Sequence, residues 1–382
     1  MKSLTGEPNN FDSVLVGRIS NKQVKSKERK NTIFIISNLN EDIRGYKAII
    51  TSVKVGKKIP SSFLKIPFIH SVKDFESLFN GDLVLLEMHS GTITIMFEKN
   101  STHNSIFATS RCNSKCIMCP QPSKKDPPKS ERINLELVKL IDKSTHAIGI
   151  TGGEPTLGRN NLIRLLKECN KNMPQAQIQL LTNGILLKNM DYVEEIVNIG
   201  IDNLIFCIPI YADTDLEHDF IMQRKNSFQD TIQGLYNLEA FEQSIELRVV
   251  VFSHNFKRLP QIADFFYHNF PFVMHIAFMG IELEGLAKEN RKKLWISPLD
   301  YIAFLEKAVL YLSQRDMEVS IYNEQLCLLP KSLWAFSCKS ISDWKNIYIE
   351  ECNSCKMREN CGGFFKSVIS EHRKLINKKN CK

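Results

Sequence analysis

No stretch of this 382-residue chain approaches the ~20 consecutive apolar residues that a membrane span requires, so no membrane association is expected. The opening Met1-Lys2-Ser3-Leu4-Thr5-Gly6 has no apolar core behind its lysine, which argues against a secretory leader and for a cytoplasmic location. With 43% hydrophobic and 24% charged residues, the composition excludes disordered and fibrous classes and fits two or three globular domains. Aromatics are missing where nucleic acid would need them. The net charge is +8, yet none is interleaved among Arg18, Lys22, Lys25, Lys27, Arg29 and Lys30, or in the tail from Arg373 to Lys382. Without stacking platforms these stretches read as solvated surface, and a nucleic-acid partner is not expected.

Cysteine is plentiful but wrongly placed for disulfides. Eleven is an odd number, and a chain of this length does not need staples. Three cysteines lie between Cys112 and Cys119, and five lie between Cys338 and the C-terminus. Clustering at two places predicts two metal sites. Cys169 and Cys207 fall inside helical and strand patterns and read as core.

Residues 1–100 read as a β-rich accessory domain. Apolar β-branched runs occur at Thr32–Ile36, Ala48–Val53, Leu83–Leu86 and Thr92–Phe97, with Ser90-Gly91 as a hairpin turn before the last. Residues 101–325 alternate strand and helix, with strands expected to begin near Ser105, Ala147, Ile178, Leu204, Glu246, Val273 and Glu318. That pattern predicts an α/β fold with a parallel sheet, closed only as a partial barrel. Chemistry in such sheets gathers beyond the C-terminal strand ends. Residues 326–382 lack periodicity, and their shape is expected to be set by metal.

Two motifs sit on that rim. Cys112-Asn113-Ser114-Lys115-Cys116-Ile117-Met118-Cys119 follows a strand directly, and three thiolates on so short a loop can hold three irons of a cubane cluster and leave the fourth open. Zinc would usually need a fourth nearby ligand. One βα unit later comes Thr151-Gly152-Gly153-Glu154-Pro155, where glycines allow close approach to backbone and a carboxylate can accept hydrogen bonds from an ammonium group.

Together these motifs resemble the radical S-adenosylmethionine (SAM) superfamily over roughly residues 104–325. The resemblance implies a partial (β/α)6-type barrel with a [4Fe–4S] cluster on Cys112, Cys116 and Cys119 as the catalytic centre. Gly152, Gly153, Glu154 and Pro155 would then contact SAM. Asn183, in Thr182-Asn183-Gly184, would meet the adenosyl part, and Arg248 the SAM carboxylate, unless it is a solvated strand-edge arginine. An electron donor such as flavodoxin or ferredoxin would reduce the cluster, and SAM would yield methionine and a 5′-deoxyadenosyl radical. Where the superfamily usually has an aromatic before the third cysteine, this chain has Met118. The acidic segment Asp213, Glu217, His218, Asp219 is a further candidate for proton transfer or substrate contact, against the plain reading of a solvated loop.

A third motif, Cys352-x2-Cys355-x5-Cys361, needs one more ligand to close a four-sulfur site. Cys327, Cys338 and Cys381 compete for that place, with Cys327 preferred. An auxiliary [4Fe–4S] cluster is expected in preference to a zinc knot. The element resembles the SPASM and twitch extensions of peptide-modifying radical SAM enzymes, although Phe365 stands where SPASM continues with cysteine. Surrounding words, among them Phe278-Met279-Gly280-Ile281-Glu282, Leu294-Trp295-Ile296-Ser297-Pro298, Ser340–Asn346 and Cys361-Gly362-Gly363-Phe364-Phe365, resemble the HxsC-type maturases of the His-Xaa-Ser system. That resemblance implies a peptide or small-protein substrate carrying His-Xaa-Ser repeats, and a second radical SAM protein as partner. A radical SAM enzyme acting on a small molecule, and a non-catalytic iron–sulfur or zinc protein, are the competing readings.

Overall fold

The structure, a computed structural model, describes residues 2–9, 11–55, 59–340 and 346–376. The chain divides into two compact units. The first comprises Met1–Ile106, Pro127–Ala147 and Arg164–Ala176, and the second comprises Phe107–Asp126, Ile148–Ile163 and Gln177–Lys382.

The first unit is built on an eight-stranded sheet: β1 (Ser3–Thr5), β2 (Glu7–Pro8), β3 (Val14–Ser20), β4 (Thr32–Ile35), β5 (Ala48–Ile50), β6 (Phe68–His70), β7 (Leu83–Glu87) and β8 (Thr92–Phe97), in the order β1-β8-β7-β3-β4-β5-β6-β2. Period-2 burial in β8 turns Ile93, Ile95 and Phe97 inward. At the preceding turn Gly91 takes a φ of +67°, a conformation that favours glycine. β3 is hidden in the sequence because Gly17 and Arg18 interrupt its apolar run. Gly17 is there for packing: a Cβ would lie 2.7 Å from Ile33 Cγ1 on the neighbouring strand.

A second sheet contains β9 (Asn104–Thr109), β10 (Ala147–Gly152), β11 (Gln177–Leu181), β12 (Leu204–Pro209), β13 (Ser244–Val251), β14 (His275–Gly280), β15 (Val319–Tyr322) and β16 (Ser337–Cys338), hydrogen-bonded in chain order. From β11 to β16 every pairing is parallel. This is the expected α/β architecture of an open, incomplete barrel. The eighth strand is supplied by the cysteine-rich region, where Tyr322 pairs with Cys338. β13 shows how the sheet is two-faced. Ile245, Leu247, Val249 and Val251 are buried on one face, while Glu246, Arg248 and Val250 line a cavity on the other.

An apolar cluster lies under the first cysteine loop. It joins Met118, Ile221, Phe252, Leu283 and Leu294 to Phe365 and Val368, which come from the cysteine-rich region. Phe365 therefore packs as core at the position where the SPASM pattern has a ligand. Among the described residues no helix is long and apolar enough to cross a membrane. Truncation of Phe365 to Ala should cost ~3 kcal/mol of unfolding free energy, measured by urea denaturation at neutral pH, because it leaves a cavity that rigid neighbours cannot fill. A loss indistinguishable from zero would place Phe365 outside the core.

Candidate functional site

The first cysteine loop is fixed by its own backbone and by the loop after β10. Asp126 braces its base, accepting from Thr109 Oγ1 at 2.8 Å, Ser110 N at 2.5 Å and Arg111 Nε at 3.0 Å. Gly153 N donates to Thr109 O at 2.7 Å, and Glu154 N donates to Arg111 O at 2.8 Å. A Cβ on Gly152 would sit 2.4 Å from Thr109 O, and one on Gly153 would sit 2.2 Å from Arg111 O. The two glycines are thus required by loop-on-loop packing, in addition to any ligand approach. On the other side the loop is clamped by the end of helix Asp215–Met222, through Lys115 N to Met222 O and Ile117 N to Ile221 O. Met222 Sδ lies 3.4 Å from Cys116 Sγ.

Glu154 is 1% exposed and holds the neighbouring strand ends in place. Its Oε1 accepts from Thr156 N at 3.0 Å and from the hydroxyls of Thr156 and Thr182, each at 2.6 Å. Oε2 accepts from Asn183 N at 2.6 Å. Burial pushes the carboxyl pKa up, while these hydrogen bonds pull it down. Asn183 in turn donates from Nδ2 to Asn113 Oδ1 at 2.7 Å, inside the cysteine loop. Pro155 is buried at the start of the turn that follows.

All three thiols open on one cavity of about 400 Å³, whose lining also includes Gly152, Gly153, Glu154, Asn183 and Arg248. The sequence-predicted residues are therefore brought together. Burial pushes the thiols of Cys112, Cys116 and Cys119 upward, so they are held protonated until a cation displaces the protons. Beside them, Asn113 Nδ2 and Ser114 Oγ are buried without a partner among the described residues. Three thiols with spare buried donors alongside fit an anionic sulfide cluster.

The cavity floor was only partly legible. Arg248 lies on a central strand, not a solvated edge; its Nε donates to Glu246 Oε1 at 2.5 Å. Glu246 Oε2 is 2.9 Å from His275 Nδ1, and His275 Nε2 is 2.9 Å from Ser320 Oγ. Burial opposes ionisation of Glu246, but His275 and Arg248 hold its pKa below the ordinary value. Glu246 was missed, although the i, i+2 spacing from Arg248 placed both on one strand face. Cys207, read as core, is buried but contributes to the cavity wall, as do Tyr211, Met222 and Tyr322.

The acidic segment takes a different conformation from the expected loop. Asp215–Met222 is a helix, and Asp213 and Asp219 are held by partners within the protein. Asp213 pairs with Arg258. Asp219 accepts from Ser227 Oγ at 2.7 Å and Phe228 N at 2.9 Å, bracing the start of helix Ser227–Glu239. His218 is fully buried, stacked on Tyr211.

A second cavity, about 30 Å³, is lined by Cys327, Cys352, Cys355 and Cys361 together with Trp334, Tyr348 and Phe364. Cys338 does not line it, and Cys381 lies outside the described residues. Among the described residues, no group of three His, Cys, Asp or Glu side chains is arranged to hold a single metal ion. The stretch Asn323–Cys327 runs from the wall of the large cavity to that of the small one. Within it Glu324 is 1% exposed, receives the Tyr301 hydroxyl on Oε1, and has no partner on Oε2 among the described residues. Gln325 donates to Gly363 O at 2.9 Å and meets His372 Nδ1 at 2.8 Å.

Residues 106–266 match the family model of the radical SAM superfamily. Among curated proteins, a GTP 3′,8-cyclase from Desulforamulus reducens is 29% identical over 160 residues, covering 40% of this chain and 48% of that protein. The molybdenum cofactor biosynthesis protein moc-5 of Caenorhabditis elegans is 24% identical over 254 residues, covering 63% of this chain and 37% of that one. The chain thus spans less than half the length of these relatives. Solved structures of Streptococcus suis SuiB bound to S-adenosylmethionine and of anSMEcpe with bound AdoMet align with TM-scores of 0.47 and 0.46, at 16% and 17% identity. They cover 58% and 57% of this chain, and 50% and 63% of their own.

Burial raises the Glu324 pKa from 4.5 to about 8 and lowers those of His218 and His372 from 6.5 to about 4. A raised acid gives stability that is complete below 4.5 and lost as pH rises through 8; the lowered histidines give stability that is complete above 6.5 and lost as pH falls. Between pH 6.5 and 8 the two histidines no longer contribute and Glu324 does, so unfolding free energy should fall across that window, and fall less steeply in Glu324→Gln. Equal slopes in both proteins by chemical denaturation would refute the assignment.

Proposed function

We infer that this chain, which carries a radical SAM domain at residues 106–266, is a radical SAM maturase that modifies a peptide or small protein of the His-Xaa-Ser type. The observation that carries the radical SAM part is the convergence of Cys112, Cys116 and Cys119 with the Gly152-Gly153 loop and Arg248 on one cavity at the C-terminal strand ends. A [4Fe–4S] cluster with SAM bound would supply one-electron cleavage of SAM and a 5′-deoxyadenosyl radical that takes hydrogen from the substrate. The three thiols would hold the cluster. The Gly152–Pro155 backbone and Asn183 shape the SAM pocket, and Arg248, braced by Glu246, offers a guanidinium to a carboxylate. Buried walls of Met118, Met222 and Ile281 keep water from the reacting centre.

The peptide assignment rests on the HxsC-like words and on the four thiols around the second cavity, which suit an auxiliary [4Fe–4S] cluster on Cys327, Cys352, Cys355 and Cys361. An electron donor and a second radical SAM protein belong to the same reading. A small-molecule substrate is the second reading, favoured by relatives named GTP 3′,8-cyclase.

Anaerobic reconstitution should load about eight irons per chain, two cubanes' worth. Cys116→Ala should abolish 5′-deoxyadenosine formation with dithionite and SAM while keeping about four irons; Cys327→Ala should keep SAM cleavage and lose about four. Acceleration of SAM consumption by a His-Xaa-Ser peptide separates the two substrate readings. Zinc in place of iron, with no 5′-deoxyadenosine, would overturn the function.

A further inference from the structure

The outer face of the first cysteine loop carries more positive charge than its surroundings neutralise. Lys115, Lys124 and Lys125 are exposed on the loop itself. Helices Gly285–Glu289 and Arg291–Leu294 pack directly on it: Leu286 N donates to Cys119 O at 2.9 Å and Asn290 Nδ2 to Ile117 O at 2.8 Å. A Cβ on Gly285 would lie 2.4 Å from Pro120 O, so the two segments touch at backbone distance. The helices add exposed Lys288, Lys292 and Lys293. Arg111 and Arg291 are paired, with Asp126 and Glu371, but these six lysines form no ion pair among the described residues. The acids of segment 282–294 are Glu282, Glu284 and Glu289, of which the last two are exposed, against the basic Lys288, Arg291, Lys292 and Lys293.

We propose that this lysine face is the docking surface for an acidic one-electron carrier protein, which delivers its electron through the Cys116–Cys119 side of the loop. The inference rests on the cluster assignment above. Three features favour that occupant. The patch is cationic, so an acidic partner gains on-rate and orientation from it. It lies on the loop that carries the three thiols, where Pro120 and Gln121, next to Cys119, are exposed. Neither segment, 111–125 nor 282–294, contains Phe, Tyr or Trp, which removes the stacking that single-stranded nucleic acid would need. In the transfer the carrier loses one electron and the cluster passes from the 2+ to the 1+ state, with no proton moved.

The test uses the reconstituted chain, flavodoxin as the carrier, and the variant K124E/K292E/K293E. Affinity for oxidised flavodoxin should weaken by about tenfold, and its dependence on salt should shrink. The rate of cluster reduction by flavodoxin hydroquinone, followed by loss of visible absorbance, should fall in step. Dithionite-driven reduction should be unchanged. If folding of the triple variant is impaired, K124Q and K292Q singly should each give a smaller loss of the same sign. Unchanged affinity and rate would overturn the proposal, as would RNA oligonucleotide binding that the triple variant loses while flavodoxin binds neither protein. Absence of a reducible cluster with dithionite would instead sink the functional reading, and the binding measurement would still decide the surface.

Discussion

A buried carboxyl with no ion pair among the described residues has to be compensated by hydrogen bonds alone, and Glu154 receives four of them. Its donors come from its own turn and from the end of β11, so satisfying that one group fixes the distance between two adjacent strand ends. From Asn183 the same network reaches Asn113 in the cysteine loop. The position of the thiols, the mouth of the cavity and the course of the Gly152-Gly153 loop all follow from it. Losing a donor here would leave a buried polar group unmatched, which costs more than an ordinary hydrogen bond contributes.

The cavity combines two kinds of wall. Near the thiols it is made of sulfur and hydrocarbon, with Met118, Met222 and Ile281. At the floor it is ionic, with Glu246 between Arg248 and His275. Such a division suits a reaction in which a radical must be kept from water while a polar reactant is held at one end. The ionic floor is also self-consistent in charge. Arg248 and Glu246 compensate each other, and the His275–Ser320 pair orients the carboxylate from behind.

What could be read in the sequence follows what depends on local pattern. The βα alternation and the rim positions of Cys112, Gly152 and Asn183 were legible because apolar runs and Gly-rich turns mark them. Arg248 was found as a residue but not as part of a chain of contacts, since its neighbour Glu246 two residues back on β13 meets His275 only through the parallel register of β13 with β14. Asp213 and Asp219 looked like a solvated acidic loop because their partners, Arg258 and the start of helix Ser227–Glu239, are distant or out of pattern. Cys327 was preferred over Cys338 although no periodic pattern marks either position, and what separates the two in the fold is packing: Cys327 lines the small cavity and Cys338, on β16, does not. The role of Phe365 as core depended on a packing partner, Met118, some 250 residues away in the chain.

The two cysteine regions differ in what gives them shape. The first is held by amide and carboxylate contacts that need no metal: Asp126 at its base, the Gly153 and Glu154 amides along one side, and the Met222 turn along the other. Its cradle is therefore cast before any iron arrives, and loading it is a binding event on a finished mould. The thiols of the second region sit on short 3₁₀ turns at Glu350–Ser354 and Arg358–Asn360. The rim can therefore be emptied and refilled without the loop losing its course, because the contacts that hold it run between amides and carboxylates of the protein itself.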